Sequence, residues 1–533
     1  MKVFAPNATD GYKLGHPSQY IFGTNSILSN YTPRDFGYAN VLEEFKTDKM
    51  VYAGMTYVCK AYLIDNWNES FFNRPKEKVI QKYARRIRNY LGTDQAKEAR
   101  QLMSDLHDLG YLPIEIRSIK EGSRVNAGIP VFTVTNSLSN KDDPKWQYFH
   151  ALVNYLETVL SNTIWPICHS ASLMEQYYLC AKHYGQLTGA SMDFWLPFAC
   201  HNFALRGHRG MEDGIMSAFG HSLFHTGTDT FAVADFIEDY YNGDTDIDPI
   251  AKSVNATEHA TVTQAIAYFG GGHEGELKAL NYFLTERYPD GTFSYVADSR
   301  DYWDVIANIL PKLKDVIMSR PANVDGLPGC LTTRPDSSPK TPYEIILGDR
   351  ENLNEAYSSM FAPEQKGTLQ LLWETFGGEM VTGSDGKQYK LLDSHVRIIY
   401  GEAISLQMQQ KIYKGMMDAG WCVGNVFFGV GSWAFLKDAS RDSYGCAVKA
   451  THSEIDGVDY PLQKDPKGTS SFKKSARGML RVEFDGEAKI FKLFDDQTKE
   501  QVDAPGNALE VVFRNSDMIV EPVFREMVAE LRV

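Results

Sequence analysis

The chain has 533 residues, 43% of them hydrophobic and 23% charged, the proportions of an ordinary soluble globular protein with room for two or more cores. Its net charge of −14 argues against a nucleic-acid binder but leaves room for a local basic pocket. No apolar run approaches the ~18 residues of a membrane span, and the opening MKVFAPNATD lacks the apolar core of a signal peptide.

Seven cysteines include no CxxC pair and read as reduced thiols of a cytoplasmic protein. Cys168-His169 and Cys200-His201 are only adjacent pairs, which do not make a zinc site.

In chain order, residues 40–110 carry mostly helical spacing, as in MVYAGMTYVCKAYLIDNWNESFF. Residues 111–136 alternate apolar with polar, the period of half-buried strands, and 147–186 return to a helical pattern. From about 190 to 430, short apolar segments end in Gly, Asp, Glu or Arg and helix-like segments follow. GTFSYVADS ends at Asp298, GCLTTRPDS at Arg334 and Asp336, VRIIYGEAIS at Gly401 and Glu402, and NVFFGVGS at Gly429 and Gly431. That succession predicts parallel β/α units, whose binding groups collect at the carboxyl ends of the strands.

The last hundred residues turn β-rich. MLRVEFDGEAKIFKLF places Asp-Gly between two alternating runs, a hairpin signal, and this segment is expected to pack with the 111–136 strands. The expected fold class is α/β: a central barrel over 189–431, and an α+β domain built from both termini, 1–188 with 432–533.

Several motifs offer chemistry, each with a plainer alternative. Arg334 suits a phosphate or a flat ring and Asp336 a sugar diol, although a turn salt bridge explains both. The Gly-x-Gly of FFGVGSWAF could present backbone amides to a phosphate; it is neither a Walker loop nor a dinucleotide fingerprint. Glu258-His259 opens a predicted helix capped by Thr257 or Asn255, where a histidine can act as base or nucleophile. Asp229 of HTGTDT is either a helix cap or a site carboxylate. Phe203 and Arg206 are spaced to share a face. KDPKGTSSFKKSAR, 464–477, is strongly basic in an acidic protein and reads as a solvated loop or as a cationic loop over phosphates. FKLFDDQTKE superficially imitates a diphosphate-sugar motif, but no Gly/Thr phosphate loop follows, and it reads as a strand end.

Taken in order, TDGYKLGH at 9–16, EIRSIKEG, ETVLSNTIWPI, HNFALRG, GTDT, ATEHAT, VADS, RPDS, VRIIYGE, FFGVGS, CAVK and KDP resemble the nicotinamide phosphoribosyltransferase family over most of the chain. The resemblance implies a glycosyltransferase (pentosyltransferase) of NAD salvage. It would join nicotinamide to phosphoribosyl pyrophosphate with Mg²⁺, on the irregular α/β barrel of the type II phosphoribosyltransferases. It implies a cytoplasmic homodimer with shared sites, and ATP stimulation through a phosphorylated histidine, here His259 with Glu258 orienting it.

The same resemblance implies roles for single residues. Phe203 and Tyr12, the latter from the partner subunit, sandwich the pyridine ring. Arg206 meets the carboxamide oxygen, Asp229 accepts the amide N–H, and Asp10 supports the charge balance. Arg334 and Asp336 hold the phosphoribosyl end, and Asp298 lies near the ribose or the metal-bound pyrophosphate. Mg²⁺ is held mainly through that pyrophosphate, with Asp298 or Asp336 as its protein contribution. Gly401, Gly431 and Arg441 contact the 5′-phosphate, and Arg34, Lys449, Lys464 and Lys473 bind pyrophosphate or nucleotide phosphates.

Asp229 also bears on the choice between nicotinamide and nicotinate. A second carboxylate about 4 Å away is repelled by about 4 kcal/mol at an effective dielectric near 20, a roughly thousandfold bias towards the neutral amide. The chain departs from the family pattern at three places. Glu402 follows Gly401 where Asp is usual, Ser432 and Trp433 interrupt the glycine run, and Ala447 replaces a serine.

Overall fold

The computed structural model describes residues 3–93, 96–336, 340–349, 361–467 and 474–532. Two sheets organise them. The first is antiparallel and seven-stranded, in the spatial order Val458–Pro461, Ala447–Ile455, Thr24–Thr32, Phe132–Asn136, Ile114–Ser118, Glu510–Arg514, Asp517–Met518. Strands from both ends of the chain therefore share one sheet. The Ile114–Ser118 strand alternates buried with half-buried residues, the pattern that predicted it.

One expectation is borne out and one corrected. The hairpin Met479–Asp485 with Ile490–Gln497 forms with a four-residue turn, as a two-stranded sheet. It packs on the Arg124–Asn126 strand, where the Asn126 side chain bonds both backbone groups of Phe491, and Val482 and Phe491 share a core with Ile114, Ile116 and Val125. A further C-terminal strand, Glu510–Arg514, pairs directly with Ile114–Ser118. The helical run expected from Met50 begins later. Lys49–Val51 pairs with Arg124–Asn126, and helix starts at Met55 after Gly54, whose φ of +109° suits glycine and interrupts the run.

The second sheet is wholly parallel. Its spatial order is Cys200–Asn202, Val426–Val430, Val396–Tyr400, Leu331–Arg334, Phe293–Val296, Asn255–Ala256. Isolated parallel bridges Asn202–Thr228 and Gly227–Lys252 continue it past Cys200–Asn202. The sheet thus curls until both edges reach one segment, 252–256. The Phe293–Val296 strand is buried throughout, as a strand covered on both faces requires.

The 32-residue helix Glu157–Thr188 joins the two halves. Val159, Leu160, Ile164 and Cys168 enter the core beneath the antiparallel sheet, whereas Ala171, Met174, Tyr177 and Ala181 enter the core around the parallel sheet. All seven cysteines are buried and free. Among the described residues no helix is long and apolar enough to cross a membrane.

Arg320 holds the approach to the Phe293–Val296 strand. It is 4% exposed and donates to the carbonyls of Leu284, Tyr288, Asp290 and Gly291 at 2.7–3.1 Å. Arg320→Met keeps the bulk and removes the donors. Each orphaned buried acceptor costs ~1–3 kcal/mol, so urea unfolding should show a loss of ~3 kcal/mol or more. An unchanged midpoint would mean that these carbonyls need no side-chain partner.

Candidate functional site

Because the six strands are parallel, their carboxyl ends open at one end of the curled sheet. Phe203 follows Cys200–Asn202, and its N–H donates to Val430 O at 3.0 Å. Its ring lies across Gly429 and Gly401, and a Cβ built on Gly429 would come within 2.5 Å of it and 2.8 Å of Gly401 Cα. These two glycines therefore make a bed for the aromatic ring. The His201 ring packs against Phe203 at 4.5 Å between centroids.

Asp229 is tied to the same strand end, its N–H donating to Asn202 O at 2.9 Å. His201 Nε2 lies 2.8 Å from Asp229 Oδ1, and Ser253 Oγ donates to the same oxygen at 3.2 Å. Burial opposes ionisation of Asp229, but the bonds from His201 and Ser253 and the positive charge of Arg334 outweigh it. The carboxyl is held below its ordinary range. The structure thus draws Asp229 into a hydrogen-bonded cluster with His201 and Ser253. Helix Val233–Tyr241 has Ala232 at its N-cap, so the alternative of a simple helix cap does not hold.

Arg334 and Asp336 do not form the turn salt bridge that a plain reading of RPD allows. Arg334 Nη2 donates to Thr257 O at 2.6 Å, while the Asp336 N–H donates to Asp298 Oδ2 at 3.0 Å. Three groups from three different segments meet here. His259 Nε2 lies 3.4 Å from Asp336 Oδ2 and 3.7 Å from Asp298 Oδ1, and Nδ1 lies 3.1 Å from Ser299 Oγ.

Helix His259–Tyr268 is capped by Glu258, not by Thr257 or Asn255. The Thr257 hydroxyl accepts from Val296 N, and Asn255 sits in a strand, so neither is free to cap. Glu258 is exposed and its backbone meets the Thr261 hydroxyl. The orienting contact on His259 comes from Ser299 rather than Glu258.

Among the described residues no cluster of three or more His, Cys, Asp or Glu is arranged to hold a metal. Asp298 and Asp336 do supply two neighbouring carboxylates, the donor type that Mg²⁺ takes alongside substrate phosphates.

Arg206 lies on the short turn Leu205–Gly207 and is exposed. Ser432 packs against that turn, its hydroxyl occupying the space a Cβ on Gly207 would need. Gly431 faces open space at the start of helix Ser432–Leu436, and Trp433 is 54% exposed with Lys437 over its ring. Glu402 is exposed beyond Gly401, and Ala403 takes a φ of +53°.

Arg34, Arg441, Lys449 and Lys464 form a second group on the antiparallel sheet. Arg34 Nε donates to Gly445 O at 2.8 Å, and Asn30 pairs with Lys449 across neighbouring strands. Burial and the adjoining Arg441 lower the pKa of Arg34. Burial lowers that of Lys449 too, helped by Arg34, Lys464 and Arg441 and opposed by Glu157. Such mutual repulsion is relieved by a bound anion. Lys473 lies outside the described residues.

Asp10 and Tyr12 belong to this side of the molecule. The Thr158 hydroxyl donates to Asp10 Oδ2 at 2.6 Å, next to the Lys13–Glu157 ion pair. Tyr12 is 63% exposed, and within the chain its ring neighbour is His16, not Phe203.

His201, Ser253, Thr257 and Ser299 complete the site: His201, Thr257 and Ser299 stand inside the motifs HNFALRG, ATEHAT and VADS, whereas Ser253 lies in none of them.

Comparison with known proteins bears on this arrangement. Residues 198–516 match the nicotinate phosphoribosyltransferase (NAPRTase) family. The nicotinamide phosphoribosyltransferase of Acinetobacter baylyi is 37% identical over 521 residues, covering 98% of this chain and 95% of the relative. That of Mycoplasma pneumoniae is 27% identical over 468 residues, covering 86% and 91%. The crystal structure of nicotinate-nucleotide pyrophosphorylase from Pyrococcus furiosus shares the fold with a TM-score of 0.50 at 13% identity, over 99% of this chain and 94% of that one. On the family match and the near full-length similarity, the chain belongs to the nicotinate phosphoribosyltransferase family.

Proposed function

We propose that this phosphoribosyltransferase takes nicotinamide, joining its ring nitrogen to C1 of phosphoribosyl pyrophosphate and releasing pyrophosphate. The observation that carries the choice of base is the carboxylate of Asp229, its pKa lowered and its side chain bonded to the His201 ring that packs on Phe203. A neutral amide can donate to it, and a nicotinate carboxylate is repelled. The relatives from Acinetobacter baylyi and Mycoplasma pneumoniae, both nicotinamide phosphoribosyltransferases by name, support the same reading.

In this reading Phe203 stacks on the pyridine, and Arg206 and Arg334 meet its polar edge and the phosphoribosyl end. Asp336 takes the ribose hydroxyls. Gly431 and Arg441 face the 5′-phosphate, while Arg34, Lys449 and Lys464 take the pyrophosphate. Mg²⁺, bound through the pyrophosphate with Asp298 or Asp336, would neutralise the leaving group's charge. Catalysis is placement and charge stabilisation as positive charge builds on the sugar. His259, between two carboxylates and Ser299, takes the γ-phosphoryl of ATP on a ring nitrogen, releasing ADP, and water then hydrolyses it. Tyr12 closes the pyridine site of a second subunit in a homodimer.

With purified protein, Mg²⁺ and phosphoribosyl pyrophosphate, nicotinamide should give the mononucleotide faster with ATP than without, and His259→Asn should abolish the ATP effect alone. Turnover of nicotinate only would overturn the choice of base, and no product from either would favour a silent nucleotide-binding protein. Asp229→Asn should narrow the nicotinamide to nicotinate preference by about a hundredfold or more, as loss of a ~4 kcal/mol repulsion implies. Gly429→Ala should push Phe203 off its bed and raise KM for nicotinamide about tenfold, the cost of an overpacked contact of ~1–3 kcal/mol.

A further inference from the structure

The group that aims Asp229 lies behind it. His201 is largely enclosed, its side chain 12% exposed, whereas that of Asp229 is 53% exposed. His201 Nε2 and Ser253 Oγ both address Oδ1, so neither engages Oδ2, and the side chain is half exposed. The other face of His201 is closed by Gly227, where a Cβ would stand 2.7 Å from Nδ1. Gly227 is itself fixed, because its carbonyl accepts from buried His221 at 2.9 Å and its segment bridges to Lys252. The imidazole therefore has one place to stand, between Phe203 and Asp229.

We propose that His201 is a positioning residue for base selection: by donating from Nε2 to Oδ1 of Asp229, it presents Oδ2 to the neutral amide of the substrate and sets the preference over an anionic pyridine. The inference rests on the nicotinamide reading given above. A carboxylate held by two donors on one oxygen cannot turn its free oxygen away from the ring pocket. Without them it rotates, and the amide loses its acceptor while the chemistry at the sugar carbon is untouched. Ser253 is the lesser partner, being exposed and farther from Oδ1.

The test is steady-state kinetics with nicotinamide and nicotinate on single and double variants. His201→Phe keeps a ring against Phe203 but has no donor. It should lower the kcat/KM ratio of nicotinamide to nicotinate about tenfold, the size of one hydrogen bond to a charged group, with the loss carried by KM rather than kcat. His201→Gln restores a donor and should recover most of the ratio. Ser253→Ala probes the same clamp from outside the core and should lower the ratio about threefold. In an Asp229→Asn background, His201→Phe should change the ratio less than about twofold, because the two residues act as one unit.

If Asp229→Asn shifts the ratio but His201→Phe and Ser253→Ala do not, this inference is wrong and the amide reading stands. An equal effect of His201→Phe with and without Asp229 also overturns it, as a general packing defect. If Asp229→Asn leaves the ratio unchanged, both fall together.

Discussion

Parallel pairing is the constraint on which everything else in this protein depends. Six strands run the same way, in registers such as Val296 opposite Arg334 and Phe428 opposite Cys200. Whatever follows each strand must emerge at the same end. Parallel strands cannot be joined by tight turns, so each needs a long crossover, and residues hundreds of positions apart arrive side by side. Asp298, Asp336 and His259 meet for this reason, as do Phe203, Gly401 and Gly429.

The antiparallel sheet imposes a different geometry. It draws Thr24–Thr32 and Ala447–Ile455 together, so Arg34, two positions past the end of the first strand, comes near Lys449 although their sequence numbers differ by 415. Burial, with a smaller contribution from the neighbouring cations, lowers the pKa values of Arg34 and Lys449. Buried like charges persist where something anionic repays them. The stretch from Gly431 through Ser432–Leu436 to Arg441 connects the barrel mouth to this basic group within a dozen residues. The Glu157–Thr188 helix packs its first turns mainly into one core and the rest into the other.

Electrostatics at the mouth are arranged in two signs. Around Asp229, partial burial would raise the pKa of the carboxyl, and His201, Ser253 and Arg334 outweigh that effect and lower it. Around His259 two carboxylates face one imidazole, with Ser299 on the opposite ring nitrogen. The first arrangement suits recognition of a hydrogen-bond donor, the second the handling of phosphoryl groups and their cation. Arg334 ties them together: its Nη2 bonds Thr257 O, two residues before His259, while its charge acts on Asp229.

Much of this was legible before any fold was known. Apolar runs that stop at Asp298, Arg334, Gly401 and Gly431 declared the parallel strands, and alternation over 111–136 declared the antiparallel ones, because side-chain period reports local backbone geometry. The same local signal could not say which C-terminal strand pairs with Ile114–Ser118, since the 479–497 hairpin and Glu510–Arg514 are both β-rich. Nor could it show that Thr257 spends its hydroxyl on Val296, leaving Glu258 to cap the helix. The sequence by itself determined which chemical groups stand at the strand ends. Only the tertiary structure decided that His201 and Ser253 grip one oxygen of Asp229, that Ser299 rather than Glu258 addresses His259, and that Arg334 turns away from Asp336. Those contacts depend on the curl of the sheet and the crossover lengths, which place side chains in space without leaving a periodic trace in the chain.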